Sequence, residues 1–380
     1  MASSSVVQTL ADLVRINSVN PAYPNGRPEF EIQRYILDFF EGRGIEVWKQ
    51  EVLPDRPNVI ARVSGRGKGG KIIFEAHVDT AGVEDMIVPP FEPAIRNGRI
   101  HGRGACDTKA GLAGMMHAVA DLKVSGKNPA SDVWVVAAVD EEYSYRGVAK
   151  LCEKVQASAA VVAEPTEMKI AIASKGCVRF RITTRGKSAH SSEPNLGANA
   201  IEHMARVIDT LAEYTRRMQA LSHPLVGSPT LNVGLIEGGT QVNVVPESCW
   251  IEIDRRLVPG EQVSAAHDDI KKELQRLRGI DHDLEVIVEP VMVQDWPLET
   301  PANSPIVLQA SQALRDAGLD PQPVGVPFGS DASKFSMAGV PSIVMGPGNI
   351  AQAHTEDEFV DLDQVEKAFE VYRRLMTTFQ

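Results

Sequence analysis

Apolar residues follow two different rhythms along this chain. In the first part, residues 29–42 (EFEIQRYILDFFEG) carry apolar side chains at helical spacing and end at a glycine, which predicts a surface helix. Short runs at 58–63, 72–78, 133–139, 159–163 and, much later, 342–345 are almost continuously apolar. Runs of that kind suit strands covered on both faces, as in a mostly parallel sheet. The stretch 110–124 between the second and third runs predicts a crossover helix. After about Lys175 the rhythm changes to alternation: a strand over 177–184, a long helix over 197–220, strands over 231–236 and 250–256, a helix over 262–277 and a strand over 284–293. This β-α-β-β-α-β order is that of a ferredoxin-like unit with one exposed sheet face. The expected fold class is therefore α/β, a mostly parallel sheet flanked by helices, with an inserted ferredoxin-like α+β domain. The first domain spans 1–174 and 294–380, and the insertion spans 175–293.

Composition narrows the classes of function. A length of 380 residues favours two domains, and no apolar run is long enough to span a bilayer. No basic start with a sustained apolar stretch marks residues 1–10 as a signal peptide, so a cytoplasmic location is expected, with no membrane partner. Cys106, Cys152, Cys177 and Cys249 are widely spaced, which predicts reduced thiols and neither a disulfide frame nor a thiolate metal site. A net charge of -11 without a concentrated basic face argues against nucleic acid and for a small molecule or another protein as partner. Two phosphate-binding patterns also fail. Residues 65–71 (GRGKGGK) have the spacing of a phosphate loop, but Ile72 stands where Ser or Thr is needed and the segment enters a strand. Gly102-x-Gly104 could open a dinucleotide fingerprint, but Asp107 replaces its third glycine and would repel pyrophosphate.

The candidate chemistry gathers where predicted strands end. His77 and Asp79 close the second run, and a carboxylate beside a metal-binding imidazole can hold its tautomer, which suits Asp79. Asp107 follows a glycine-rich turn just before a helix, where a helix cap is the plain alternative. Asp140, Glu141 and Glu142 follow the third run, and three adjacent carboxylates repel one another unless water or cations compensate them. Glu164 follows the fourth run and His354 follows the last, past the Gly346–Gly348 turn. Ligands of open α/β sheets collect at the carboxyl ends of strands, so the coincidence of these positions matters more than any one of them. Imidazoles and carboxylates without thiolates suit zinc, and also cobalt or manganese. Two ions about 3.5–4 Å apart need a bridging carboxylate, a role open to Asp107.

His77-Val78-Asp79, Gly102-Arg103-Gly104 through Asp107, Glu141-Glu142, Glu164-Pro165 and Ala353-His354-Thr355, in that order, resemble the peptidase M20 family. That family includes acetylornithine deacetylase, succinyl-diaminopimelate desuccinylase, aminoacylase-1 and bacterial glutamate carboxypeptidase. The resemblance implies two divalent ions, zinc first, one on His77, Asp107 and Glu164 and the other on Asp107, Glu142 and His354, with Glu141 as general base. It implies that the insertion is a lid and homodimerisation surface, and that His190 in Ser188-Ala189-His190-Ser191 stabilises the oxyanion in a partner's site. Asn243 and Arg256, with Arg255 as the alternative, match positions that hold a substrate carboxylate. Gly329 and Ser330, in Phe328-Gly329-Ser330-Asp331-Ala332, resemble a substrate-contacting loop but depart from the motifs that would name the substrate. The implied activity is deacylation of an N-acyl amino acid, with a metallocarboxypeptidase or dipeptidase acting on a short peptide as the alternative.

Overall fold

Burial on both faces turns the apolar runs into strands. All residues of Ala159–Val162 and Ser342–Val344 are buried, and so is Lys71–His77 after its first residue, in a computed structural model that describes residues 4–67 and 70–380. Strands Asp132–Ala138, Lys71–His77, Ala159–Val162 and Ser342–Val344 lie side by side and parallel. Arg56–Val63 and then Glu46–Leu53 extend one side antiparallel, and Ala171–Ser174 pairs antiparallel on the other. The carboxyl ends of the parallel strands thus share one edge. Of the phosphate-loop-like segment, Lys68 and Gly69 lie outside the described residues, and the part that follows leads directly into the Lys71–His77 strand.

Helix Lys109–Val124 is the expected crossover. It packs against the C-terminal helix Leu362–Thr378 so closely that a Cβ at Gly114 would stand 3.3 Å from the Tyr372 ring. Together with Ser5–Arg15 and Pro305–Asp316 these helices cover the sheet with one apolar core. Leu362–Thr378 buries Val365, Ala368, Val371, Tyr372, Leu375 and Met376, the spacing of a one-sided helix. No helix among the described residues is long and apolar enough to cross a membrane.

Contacts divide the chain into two units. The first runs to Ile172 and resumes over Thr300–Val324 and Ser330–Gln380, and the second comprises Ala173–Glu299 with Gly325–Gly329. In the second unit, strands Thr230–Gly238, Ser248–Leu257, Gly176–Arg185 and Glu285–Val288 form an antiparallel sheet in that order, with Ala200–Met218 and Val263–Ile280 contributing helical residues to its core. The single strand expected over 284–293 is two, Glu285–Val288 and Val293–Asp295, both paired to Gly176–Arg185. Pro290 has no N–H to offer a ladder and lies in the break. Because Val293–Asp295 stays in this sheet, the second unit reaches past residue 293.

Candidate metal centre

His77 is the last residue of its strand, and its ring is held from both ends. Nδ1 lies 2.9 Å from the backbone carbonyl of Asp79, to which it donates, while Nε2 lies 3.0 Å from Asp107 Oδ1 and 4.0 Å from Glu164 Oε1. His77, Asp107 and Glu164 thus form one buried group of possible ligands. Asp107, Glu142 and His354 form a second: His354 Nε2 lies 3.0 Å from the Glu142 carboxylate and 3.4 Å from Asp107 Oδ2. Asp107 belongs to both, facing one group with Oδ1 and the other with Oδ2. Its carboxylate is not spent on capping the following helix, because the cap position is Thr108, whose hydroxyl donates to the Ala163 carbonyl.

Asp79 contributes through different atoms from those the sequence suggests. Its backbone carbonyl, not its carboxylate, meets the His77 ring; the nearest carboxylate oxygen is 3.9 Å from Nδ1. The carboxylate instead accepts the backbone N–H of Glu141 at Oδ1 and of Glu142 at Oδ2, each at 3.1 Å, and so fixes the turn that presents both acids. Asn20, fully buried, donates to Asp79 Oδ2 at 2.7 Å and to Asp140 Oδ1 at 3.2 Å. Asp140 has a left-handed backbone (φ 69°) and also accepts from Arg56, Ser144 and Arg146. These bonds hold its carboxyl down at about 2 despite burial, which acts the other way.

The electrostatics of the cluster call for added positive charge. Burial raises Glu164 well above the ordinary carboxylate range, and the nearby Asp107 and Glu141 charges add to it. Burial likewise raises Glu142 and, more strongly, Glu141, whose neighbours Asp331, Glu142 and Asp107 outnumber the opposing His77. Burial would also raise Asp107, but hydrogen bonds with His354 and His77 outweigh it and hold the carboxyl low. In return, His354 is raised to about 11 by its bonds to Asp107 and Glu142, and His77 is raised by Asp107 and its acidic neighbours against the opposing effect of burial. Protons on two imidazoles thus offset several crowded carboxylates, a duty that divalent cations on nitrogen and oxygen donors perform better. The donor set therefore fits two such ions.

The remaining candidates behave differently. In the second unit the His190 and Asn243 loops are zipped together: Ser191 N–H donates to the Asn243 carbonyl at 3.0 Å, and Val245 N–H donates to Ala189 at 2.8 Å. His190 is exposed, and its Nδ1 accepts the Ser192 N–H at 3.2 Å, which places the ring proton of the neutral tautomer on Nε2. Strand pleating sends Arg255 and Arg256 to opposite faces. Arg255 is buried and paired with Glu261 at 2.5 Å, whereas Arg256 is half-buried and paired with the short Asp254 side chain at 2.8 Å. A Cβ at Gly329 would stand 2.3 Å from Asp295 Oδ2, so any larger residue there would have to displace that carboxylate. Ser330 is buried, its hydroxyl accepting the Ala332 N–H at 3.4 Å.

Several residues around the centre were not singled out from the sequence. Glu75 lies on the same strand face as His77, fully buried, and its carboxyl is raised by burial and by the buried Asp331, itself pushed up to about 7, mainly by burial. A charged residue inside the apolar run IIFEAH was the available signal. Asn20 and Glu358 offered none, since a loop asparagine and one acid among several are ordinary surface residues.

Comparisons with known proteins identify the family and the fold. The family model described as Peptidase family M20/M25/M40 matches residues 73–378. An acetylornithine deacetylase of Myxococcus xanthus is 28% identical, with 98% of this chain and 96% of that protein covered. The N-formyl-4-amino-5-aminomethyl-2-methylpyrimidine deformylase of Bacillus subtilis is also 28% identical, covering 92% and 89%. Among solved structures, the aminopeptidase PepT of Bacillus cereus superposes with a TM-score of 0.81 at 23% identity, covering 98% of this chain and 97% of that one. The M20 family metallo-carboxypeptidase Sso-CP2 of Sulfolobus solfataricus gives 0.80 at 19% identity with 99% of both chains covered, and these two likenesses establish the fold.

Proposed function

The chain belongs to peptidase family M20/M25/M40, and from that premise we propose that it hydrolyses the amide bond of N-acyl amino acids with two divalent ions, zinc first, with cobalt or manganese able to replace it. The observation that carries the reading is the pair of ligand groups joined at Asp107. His77, Asp107 and Glu164 would hold one ion, and Asp107, Glu142 and His354 the other. Bound there, the ions would polarise the scissile carbonyl and acidify the attacking water. Glu141 takes the proton of that water and passes it to the leaving amine. Burial raises its carboxyl above the ordinary carboxylate range, which makes it a stronger base than a solvent-exposed glutamate. Asp79 keeps Glu141 and Glu142 in place by holding their backbone amides.

In the second unit, Arg256 and Asn243 take the substrate carboxylate, and the His190 Nε2–H stabilises the oxyanion. The orientation of Arg256 away from the buried Arg255–Glu261 pair supports the first role, and the Ser192 bond to His190 Nδ1 supports the second. Removal of a small acyl group is favoured by sequence relatives that include a deacetylase and a deformylase. A homodimer through the second unit is supported by the edge strand Thr230–Gly238, whose outer side pairs with no strand among the described residues, and by the exposed Leu235, Ile236 and Val242 nearby. Four free cysteines support a reducing, cytoplasmic setting.

Kinetics of the metal-loaded protein on acetylated, formylated and succinylated amino acids beside dipeptides test the substrate class. We expect the highest kcat/KM on an acyl amino acid. A dipeptide outperforming all of them would make the protein a peptidase, and full activity after exhaustive chelation would end the metal reading.

A further inference from the structure

Glu358 lies four residues past His354 in the acidic run QAHTEDE, where a solvated loop is the ordinary expectation. It is instead 1% exposed, and all its acceptors serve a single turn. Its backbone carbonyl accepts Gly102 N–H at 3.0 Å. Its Oε1 accepts the N–H groups of Cys106 at 2.8 Å and Asp107 at 3.0 Å. Its Oε2 accepts Arg103 Nη1 at 2.6 Å, and Arg103, also buried, donates Nε to the Gly82 carbonyl at 2.9 Å. The turn is shaped for this enclosure: Gly104 has φ 80°, and a Cβ on it would meet Thr80 Cγ2 at 2.7 Å. Directly after Glu358, strand Phe359–Asp361 pairs with Arg99–His101, so the polypeptide carrying His354 and the one carrying Asp107 are also joined through the backbone next to this residue.

Asp107 is the single side chain common to both ligand groups, with its two oxygens turned to different partners. Such a carboxylate tolerates little rotation of its own backbone, because a tilt that favours one side withdraws an oxygen from the other. We propose that Glu358, charge-matched by Arg103, is a positioning residue for both ions: it locks the Asp107 backbone so that one carboxylate serves two ligand groups, and couples that turn to the His354 loop. Glu358 does not belong to either ligand group and acts through Asp107. The inference rests on the two-ion reading above.

The test is equilibrium titration of the chelated, full-length protein with Co²⁺, read by metal stoichiometry and visible absorbance. Wild type should take up two ions. Glu358→Ala should bind both more weakly by about 10- to 100-fold, the usual effect of removing an outer support of a metal ligand. Glu358→Gln, whose amide oxygen can still accept the two backbone N–H groups, should fall between them, and it carries the test if the alanine variant does not fold. Val371→Ala, in the core helix Leu362–Thr378, controls for lost stability and should melt earlier yet bind both ions normally. If the Glu358 variants bind both ions like wild type, lose no more affinity than Val371→Ala, or weaken only one ion, the inference falls while the two-ion centre stands. A wild type that binds fewer than two ions overturns both.

Discussion

Glu141 and Glu142 are chain neighbours whose amides hang from the same Asp79 carboxylate, yet their side chains live in different places. Glu142 meets His354 and accepts the Ala81 N–H at 3.0 Å, whereas Glu141 is in neither ligand group and its carboxyl is raised mainly by burial. Glu141→Gln should therefore keep both ions and lose about 10²- to 10⁴-fold in kcat, the usual worth of general acid-base catalysis. Glu142→Gln should weaken one ion and regain part of its activity in excess metal. Metal content and kcat across a metal titration decide this, and the opposite pattern would exchange the two roles. Arg255 and Arg256 form a second contrasting pair. Arg256→Ala should cost about 10- to 1000-fold in kcat/KM, from the ~1.5–3 kcal/mol of a charge-assisted hydrogen bond and lost positioning, with metal content intact. Arg255→Ala strands Glu261 and should act first on melting temperature. A kinetic defect confined to Arg255→Ala would move the carboxylate site to that residue.

Elements position these residues by where they end. Each parallel strand stops at the same edge, so His77, the 140–142 turn, Glu164 and the loop bearing His354 follow from strand ends without any long excursion. The helices behind them carry an acid sensitivity of their own. On Lys109–Val124, His117 packs against Phe39 with ring centroids 5.2 Å apart and meets Thr9 Oγ1 at 2.8 Å. Burial, helped by the Arg43 charge, lowers its pKa from 6.5 to about 4. Because the folded state resists protonation there, the contribution is complete above about 6.5 and is lost as pH falls towards about 4. Thermal melts between pH 7 and 4.5 should therefore show a smaller acid-induced drop for His117→Gln than for wild type. Parallel curves would show that His117 does not titrate in this window.

For the whole molecule, the proposed chemistry divides between two units, with the ion ligands in one and Arg256, Asn243 and His190 in the other. If His190 serves a partner's centre, a His190→Ala chain and a His77→Ala chain, each inactive alone, should regain activity when mixed, because one kind of hybrid site is complete. Activity is followed after subunit exchange has been verified. No recovery would place His190 in the service of its own chain or outside the reaction.

Local composition carried much of this protein. Runs of Val, Ile and Ala bounded by turns declare buried strands, and acids or histidines at their ends declare a site, since both signals occupy a few adjacent residues. Only the tertiary structure decided which atoms act. Asp107 and Glu358 are 251 positions apart and His354 and Glu142 are 212 apart, so nothing in their local sequence could show that one carboxylate is shared or that another is buried beneath it. The same holds for Asp79, which supplies its carbonyl to His77 and its carboxylate to the turn after another strand. Hydrophobic patterning acts over a few residues and determines elements, whereas hydrogen bonds and charge pairs depend on distances that exist only once those elements have packed.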